Sequence, residues 1–141
     1  MHFDLEAALL RLKSEFIESS FDKLDDIDTI INDIFNGNEY GQEQLYQLKR
    51  DIHSIKGSAG THGMHLLTLV AHRLEDFMEA APKLSTDHWY RVQAYIDVMR
   101  KLLNKGTEPE EEEKQKIIVS LPHAQSSNTQ CSEQKKRKAT I

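Results

Sequence analysis

The sequence is poor in cysteine, proline and glycine, and each scarcity excludes a class of structure. Its 141 residues include one cysteine, three prolines and six glycines. The single cysteine, Cys131, excludes an intrachain disulfide and a zinc site built from cysteines. The small number of prolines and glycines leaves most of the chain free to form helices.

Long apolar runs are missing as well. No apolar run exceeds four residues, whereas a membrane-spanning helix needs about 20 apolar residues. The amino terminus, MHFDLEAALLRLKSEF, carries acids within its apolar part and lacks the small-residue cleavage site of a secretory signal. We therefore expect a soluble, cytoplasmic protein with no membrane partner.

The overall charge is acidic and the hydrophobic content is modest. The chain has 23 acidic and 18 basic residues, a net charge of −5, and 38% hydrophobic residues. An acidic chain is an unfavourable partner for nucleic acid, so we expect none. The length suits one domain of ordinary size followed by a tail.

Apolar residues recur at intervals of three and four, which is the spacing of amphipathic helices. The pattern predicts an all-α fold: an antiparallel up-and-down four-helix bundle over residues 1–105, with residues 4–20 forming a short amino-terminal helix or an extension of the first long helix. The four apolar sets are Leu24, Ile27, Ile31, Ile34 and Phe35; Leu45, Leu48, Ile52, Ile55 and Ala59; Leu67, Val70, Ala71, Leu74, Phe77 and Met78; and Trp89, Val92, Ile96, Met99 and Leu103.

Helix-breaking and helix-capping residues separate these sets. Asn36-Gly37 ends the first long helix, Gly60-Thr61-His62-Gly63 the second, Ala81-Pro82 the third and Asn104-Lys105-Gly106 the fourth. Ser85 offers an N-cap for the fourth helix.

Residues 106–141 have a different composition, with four glutamates at 110–113, a polar stretch and a basic run at 135–138. Such a segment cannot bury much apolar surface, so we expect it to be a mostly disordered, solvated linker. A nuclear-localisation or nucleic-acid role for the basic run is the alternative. The ending KATI resembles the start of a strand, so the natural chain could continue into a further domain.

One stripe of the second helix carries a histidine, bases and glycines. At about 100° per residue, His53 lies well away from the apolar face of its helix. The residues on its side of the helix are Tyr46, Lys49, Arg50, Lys56, Gly57 and Gly60. This places a local basic patch around an exposed histidine in an acidic protein.

The chemistry of this stripe favours phosphoryl transfer. A neutral imidazole is nucleophilic near pH 7 and can carry a phosphoryl group on a ring nitrogen. Lys56 lies one turn away and can offset phosphate charge. Glycine costs about 1 kcal/mol relative to alanine within a helix. Gly57 and Gly60 therefore indicate a surface kept bare for another protein's approach, although a frayed helix end would also explain Gly60.

The segment His53-Ser54-Ile55-Lys56-Gly57-Ser58-Ala59-Gly60 resembles the motif of histidine-containing phosphotransfer (HPt) domains of bacterial two-component phosphorelays. These domains are four-helix bundles that pass phosphate between receiver aspartates. The resemblance covers about 1–105. It implies that His53 is the phosphoacceptor and that the docking surface for a receiver comprises Tyr46, Lys49, Arg50, Gly57, Ser58 and Gly60.

The same segment, extended to Thr61 and Gly63, is similar to the amino-terminal phosphotransfer domain of chemotaxis histidine kinases. In that family a histidine and a glutamate on the next helix form a hydrogen-bond network with the phosphoacceptor. His72 and Glu75 stand at the matching spacing, so the resemblance implies that they orient the ring of His53. Ser58 departs from this type, which commonly has a second glycine there. The sequence leaves open which of the two types is present.

Three other functions compete with this interpretation. A phosphate-binding P-loop needs Gly-x-x-x-x-Gly-Lys-Ser/Thr after a strand, whereas this chain has Lys-Gly-Ser on a helix. A metal site in a bundle uses Glu-x-x-His pairs, and His72 with Glu75 has the reverse order. A bundle that binds partners without being phosphorylated is the third alternative.

The sequence thus predicts a phosphocarrier with no ATP site, no metal and no cofactor of its own. The family implies that Mg²⁺ belongs to the partner receiver, and that a receiver or a histidine kinase supplies the phosphate. We expect a monomer.

Overall fold

The computed structural model describes residues 4–81 and 83–122. Its helices are α1 (Leu5–Phe35), α2 (Gln42–Ala59), α3 (His65–Glu79), α4 (Thr86–Lys105) and α5 (Glu111–Ser120), with one 3₁₀ turn at Gly60–His62. The described residues contain no strand. The predicted all-α class is confirmed.

The first four helices form a closed bundle in which each packs against the next and α4 returns to α1. Their apolar faces fill the centre, because burial of those faces is the main source of helix stability in a protein of this size. The largest fully buried side chains are Trp89, Tyr95 and Phe77. The predicted apolar sets are the core, except that Ile34, Phe35 and Leu45 are partly buried at its margin.

The helix ends occur where the sequence predicts them. The hydroxyl of Ser85 accepts a hydrogen bond from the backbone N–H of His88 at 3.2 Å, which caps α4. Gly63 and Gly106 have φ values of 76° and 75°, a left-handed conformation that favours glycine. These caps fix the connection between α2 and α3 and the end of α4.

The amino-terminal segment is an extension of the first long helix. The 31 residues of α1 span about 46 Å at 1.5 Å per residue, whereas the 20 residues of α4 span about 30 Å. The first buried residue of α1 is Ser20. The first turns of α1 therefore reach past the end of the bundle, and Leu5, Leu9 and Leu12 in these turns stay exposed.

Residues 106–122 differ from the expected linker, because they include a helix that returns along the bundle. Glu108 accepts hydrogen bonds from the backbone N–H of Leu66 at 3.1 and 3.2 Å and so caps α3. Leu121 is buried, and the Tyr95 hydroxyl donates to the carbonyl of Pro122. The sequence pattern hid this helix because its partly buried residues, Ile117 and Ile118, are adjacent rather than periodic.

Residues 123–141, with the basic run and Cys131, lie outside the described residues. In the described ranges, no helix is both long enough and apolar enough to cross a membrane.

Candidate functional site

His53 lies in the middle of α2 on the face opposite the core. Its neighbours Ile52 and Ile55 are buried, and its own side chain is 69% exposed. This agrees with the helical wheel, because the apolar residues of α2 must face α1 and α3 for the bundle to close. The histidine ring is consequently accessible to a partner.

Glu75 of α3 connects His53 to Lys56. Its Oε2 lies 2.9 Å from Nδ1 of His53 and its Oε1 lies 2.5 Å from Nζ of Lys56. The side chains of Glu75 and Lys56 are 23% and 25% exposed, much less than the histidine. Residues 53 and 56 are one turn apart on α2, so a single carboxylate from α3 reaches both.

The charges in this cluster determine which nitrogen of the His53 ring carries the proton. Partial burial raises the pKa of Glu75, but hydrogen bonds from Lys56 and His53 outweigh it, and the net pKa is lowered from the usual 4.5. An ionised carboxylate only accepts hydrogen bonds, so Nδ1 of His53 must carry the proton that it donates to Glu75. Nε2 then has no proton in the neutral ring, and within the described ranges it has no hydrogen-bond partner.

The connection between α2 and α3 holds these residues in register. The hydroxyl of Thr68 donates to the carbonyl of Lys56 at 3.3 Å, which satisfies an acceptor near the end of α2. The 3₁₀ turn at Gly60–His62 and left-handed Gly63 then reverse the chain. Thr68 was not anticipated by the sequence analysis, since a single threonine in a helix carries no distinctive signal.

Gly57 has no packing reason to be glycine. A Cβ at Gly57 would meet nothing within 4 Å, and one at Gly60 would meet Thr68 Oγ1 at 3.5 Å, an ordinary contact. Neither glycine has a positive φ. The fold itself would accept a methyl group at both positions, and the glycines leave the surface beside His53 bare.

The pocket around His53 has a volume of about 320 Å³ and is walled by α2 and α3. It brings together four of the other predicted site residues with four residues that the sequence analysis did not single out as functional. The predicted ones are Lys49, Lys56, His72 and Glu75, and the others are Ile52, Asp76, Met78 and Glu79.

Two of these acids pair with predicted residues. His72 lies 3.4 Å from Asp76 Oδ2 on its own helix, and Lys49 lies 3.7 Å from Glu79 Oε2. In the described structure, His72 therefore makes no hydrogen bond to His53, and its role in orienting the ring stays a prediction. The spacing of four residues between His72 and Asp76 was a signal that could have identified this pair.

The remaining predicted docking residues lie outside the pocket. The guanidinium of Arg50 is 5.6 Å from the ring centroid of exposed Tyr46, earlier on α2. Ser58 lines a different groove, between α1 and α2, together with Ser54 and Phe16. The predicted docking residues outside the pocket thus form two groups. Tyr46 and Arg50 lie together earlier on α2, and Ser58 lies in the groove between α1 and α2.

No cluster suited to a metal ion, meaning three or more His, Cys, Asp or Glu side chains, occurs among the described residues. The polar groups near His53 are instead arranged around one bridging carboxylate.

Comparisons with curated proteins and with solved structures found no match. The family model of the Hpt domain matches residues 11–111, which is more than two thirds of the chain. The matched range contains His53, Lys56 and Glu75 and ends at the first residue of α5. An exposed histidine on the second helix of a bundle, beside a bare glycine surface, fits a module that carries phosphate. The chain belongs to the Hpt domain family, the phosphotransfer modules of two-component phosphorelays.

Proposed function

We propose that His53 accepts a phosphoryl group from a receiver aspartate or a histidine kinase and passes it to a receiver aspartate. The observation that carries this proposal is the exposed ring of His53, whose Nδ1 is hydrogen-bonded to Glu75 while Nε2 is left open. Nε2 is therefore the nucleophile.

The transfer step needs only groups that the two proteins supply. The lone pair of Nε2 attacks phosphorus of an aspartyl phosphate, the N–P bond forms, and the P–O bond to the aspartate breaks. The carboxylate of the donor leaves with the electron pair, and no proton has to move. The reverse step on a second receiver regenerates the free histidine.

Glu75 supports this step by its position. As positive charge develops on the ring, the hydrogen bond from Nδ1–H to an ionised carboxylate becomes stronger. It also keeps the ring in the tautomer and orientation that present Nε2 outward. Glu75 is a positioning residue, because it acts through His53.

Lys56 balances the charge of the cluster. Its ammonium neutralises Glu75, so an incoming phosphoryl group does not meet an uncompensated carboxylate. An ammonium has three donors, so Lys56 can also contact the phosphoryl group on Nε2.

The docking surface is the bare patch at Gly57 with the bases of α2. Receiver active sites present carboxylates and Mg²⁺, as the family implies, so Lys49 and Arg50 would steer their approach. The absence of a Cβ at Gly57 lets the receiver's phosphate come within bonding distance of Nε2. A bundle that binds receivers without phosphorylation is the competing function, which the next experiment separates.

The experiment uses a phosphorylated receiver with Mg²⁺ and follows acid-labile, base-stable phosphate on this chain. We expect the wild type to be labelled and His53→Gln not to be labelled, while Lys56→Ala is labelled more slowly. His65→Gln is the matched control, since His65 is an exposed histidine at the start of α3, and it should be labelled like the wild type.

Labelling of His53→Gln would remove His53 as the acceptor. No labelling of the wild type by a panel of receivers and kinases that still bind it would favour the interaction module.

A further inference from the structure

The amino-terminal part of α1 carries an apolar stripe, most of which lies outside the core. The overhang stripe consists of Leu5, Leu9, Leu12 and Phe16. At about 100° per residue these positions lie within about 60° of one another. Leu5, Leu9 and Leu12 are 60%, 54% and 52% exposed, and Phe16 is half-buried against His62 at a centroid distance of 5.0 Å. Leu10 is 63% exposed but points away from the stripe.

An exposed row of leucines on one face of a helix indicates a surface that another apolar surface covers. A membrane does not fit, because residues 4–16 carry three acids against two bases, whereas membrane-surface helices are rich in Lys and Arg. The segment 123–138 of this chain does not fit either, since it contains no Leu, Ile, Val, Met or aromatic residue.

The order of charges along the overhang favours a second copy of this chain. The acids Asp4 and Glu6 come first, and the bases Arg11 and Lys13 follow. Two overhangs packed antiparallel, with Leu5 of each opposite Leu12 of the other, bring Glu6 close to Lys13 along one flank of the stripe and Asp4 close to Arg11 along the other flank. A parallel pair would place like charges together. Opposite charges across such a pair select partner and orientation.

We propose that the overhang stripe is a self-association surface on which a second copy of this chain packs with its α1 antiparallel. This differs from the monomer expected from the sequence. The inference uses no property of His53, so it stands or falls independently of the phosphocarrier function.

The stripe is small, and its size sets how tight the pair is. Stable specific interfaces bury about 1,200–2,000 Å² in total, and three leucines that are a little over half exposed with one half-buried phenylalanine from each copy fall short of that range. The dimer is therefore weak and depends on protein concentration.

The first test is sedimentation of the full chain from low micromolar to near-millimolar concentration. The wild type should rise from 16.3 kDa towards twice that mass. Leu9→Gln should stay at the single-chain mass. Leu10→Gln is the matched control, since it removes a neighbouring leucine of similar exposure from another face, and it should behave as wild type. Circular dichroism checks that all variants stay helical.

The proposal is overturned if the wild type stays monomeric throughout, or if Leu9→Gln and Leu10→Gln weaken association equally. If the wild type is monomeric and Leu9→Gln instead weakens binding of a receiver, the stripe belongs to the receiver interface and the proposal is also wrong.

The second test addresses the antiparallel arrangement. Glu6→Arg and Lys13→Glu should each weaken self-association, because each places like charges at both Glu6–Lys13 contacts. An equimolar mixture of the two variants restores opposite charges at both contacts and should associate more tightly than either variant alone. A mixture that associates no better than the separate variants would rule out this arrangement.

Discussion

Two seams of the bundle, meaning the contacts between neighbouring helices, each carry a cluster of charged side chains. Both clusters are built from ion pairs and hydrogen bonds, but they have different roles. On the α1–α4 seam, Arg100 lies 2.5 Å from Asp28 Oδ2 and 3.1 Å from Asp25 Oδ1, and Gln93 donates to Asp28 Oδ1 at 3.1 Å. On the α2–α3 seam, Glu75 bridges His53 and Lys56. A base is central in the first cluster and an acid in the second.

The two clusters differ in whether a side-chain nitrogen remains available for a reaction. A guanidinium has no acceptor and does not deprotonate near neutral pH, so the α1–α4 cluster can only hold two helices together. An imidazole has two nitrogens with separate roles. When Glu75 engages Nδ1, Nε2 remains for chemistry. The presence of an imidazole thus distinguishes the proposed reactive site from the structural ion-pair cluster.

Among changes to the residues that support His53 or join the helices, the largest expected effect comes from removing the charge of Glu75. Glu75→Gln can still accept a hydrogen bond from His53, but it no longer stabilises positive charge on the ring or pairs ionically with Lys56. We expect transfer from a phosphorylated receiver to slow about tenfold, which corresponds to about 1.4 kcal/mol. Rapid-quench labelling measures this rate.

Arg100→Ala provides the matched comparison on the other seam. It removes the ion pairs with Asp25 and Asp28 and a contact of Arg100 with the ring of Phe21. We expect a loss of about 1–2 kcal/mol in the free energy of unfolding by urea and an unchanged transfer rate. A transfer rate reduced as much as in Glu75→Gln would mean that the seams are coupled, contrary to the comparison.

Gly57→Ala tests whether the glycine is required for docking rather than for the stability of the fold. A Cβ at this helical position meets nothing within 4 Å, so alanine should raise the free energy of unfolding by about 0.5–1 kcal/mol through helix propensity. The added methyl should slow phosphoryl transfer severalfold, because it stands where a receiver approaches. Lys101→Ala, a change at an exposed site of α4, is the control for the transfer measurement and should react at the wild-type rate. Transfer at the wild-type rate would show that the bare surface has no role in docking.

The smallest expected effect is a change in how the stability of the fold depends on pH. The folded pKa of Glu75 is lowered, so its carboxylate stabilises the protein above its usual pKa of 4.5, and this contribution is lost as pH falls through the folded pKa. Glu75→Gln should therefore lose less stability than wild type on acidification below about pH 4.5. Urea unfolding at a series of pH values measures the slope.

Asp51 should affect the pH dependence of stability in the opposite direction to Glu75. Burial raises its pKa above the usual 3.8, although a hydrogen bond from Gln47 lowers it. Its protonated form therefore stabilises the fold at low pH, and this contribution is lost as pH rises through the folded value. Asp51→Asn should steepen the acid loss that Glu75→Gln reduces. A change of slope in the same direction for both variants would contradict these assignments.

Much of the fold was predictable because its signals are local. The period of the apolar residues and caps such as Ser85 and Gly106 fix the helices and their ends. The helix at 111–120 was not predictable in this way, since its stability comes from Glu108 reaching the start of α3 and Leu121 reaching the core. Those contacts join residues far apart in the chain.

The sequence by itself determined the four-helix pattern, the exposed place of His53 on α2 and its neighbours Lys56 and Gly57, because helical geometry follows from spacing along one segment. Only the tertiary structure decided that Glu75 binds both His53 and Lys56, that the side chain of His72 lies by Asp76, and that most of the overhang stripe stays outside the core. Each of these depends on the relative rotation and length of packed helices, which no single helix specifies.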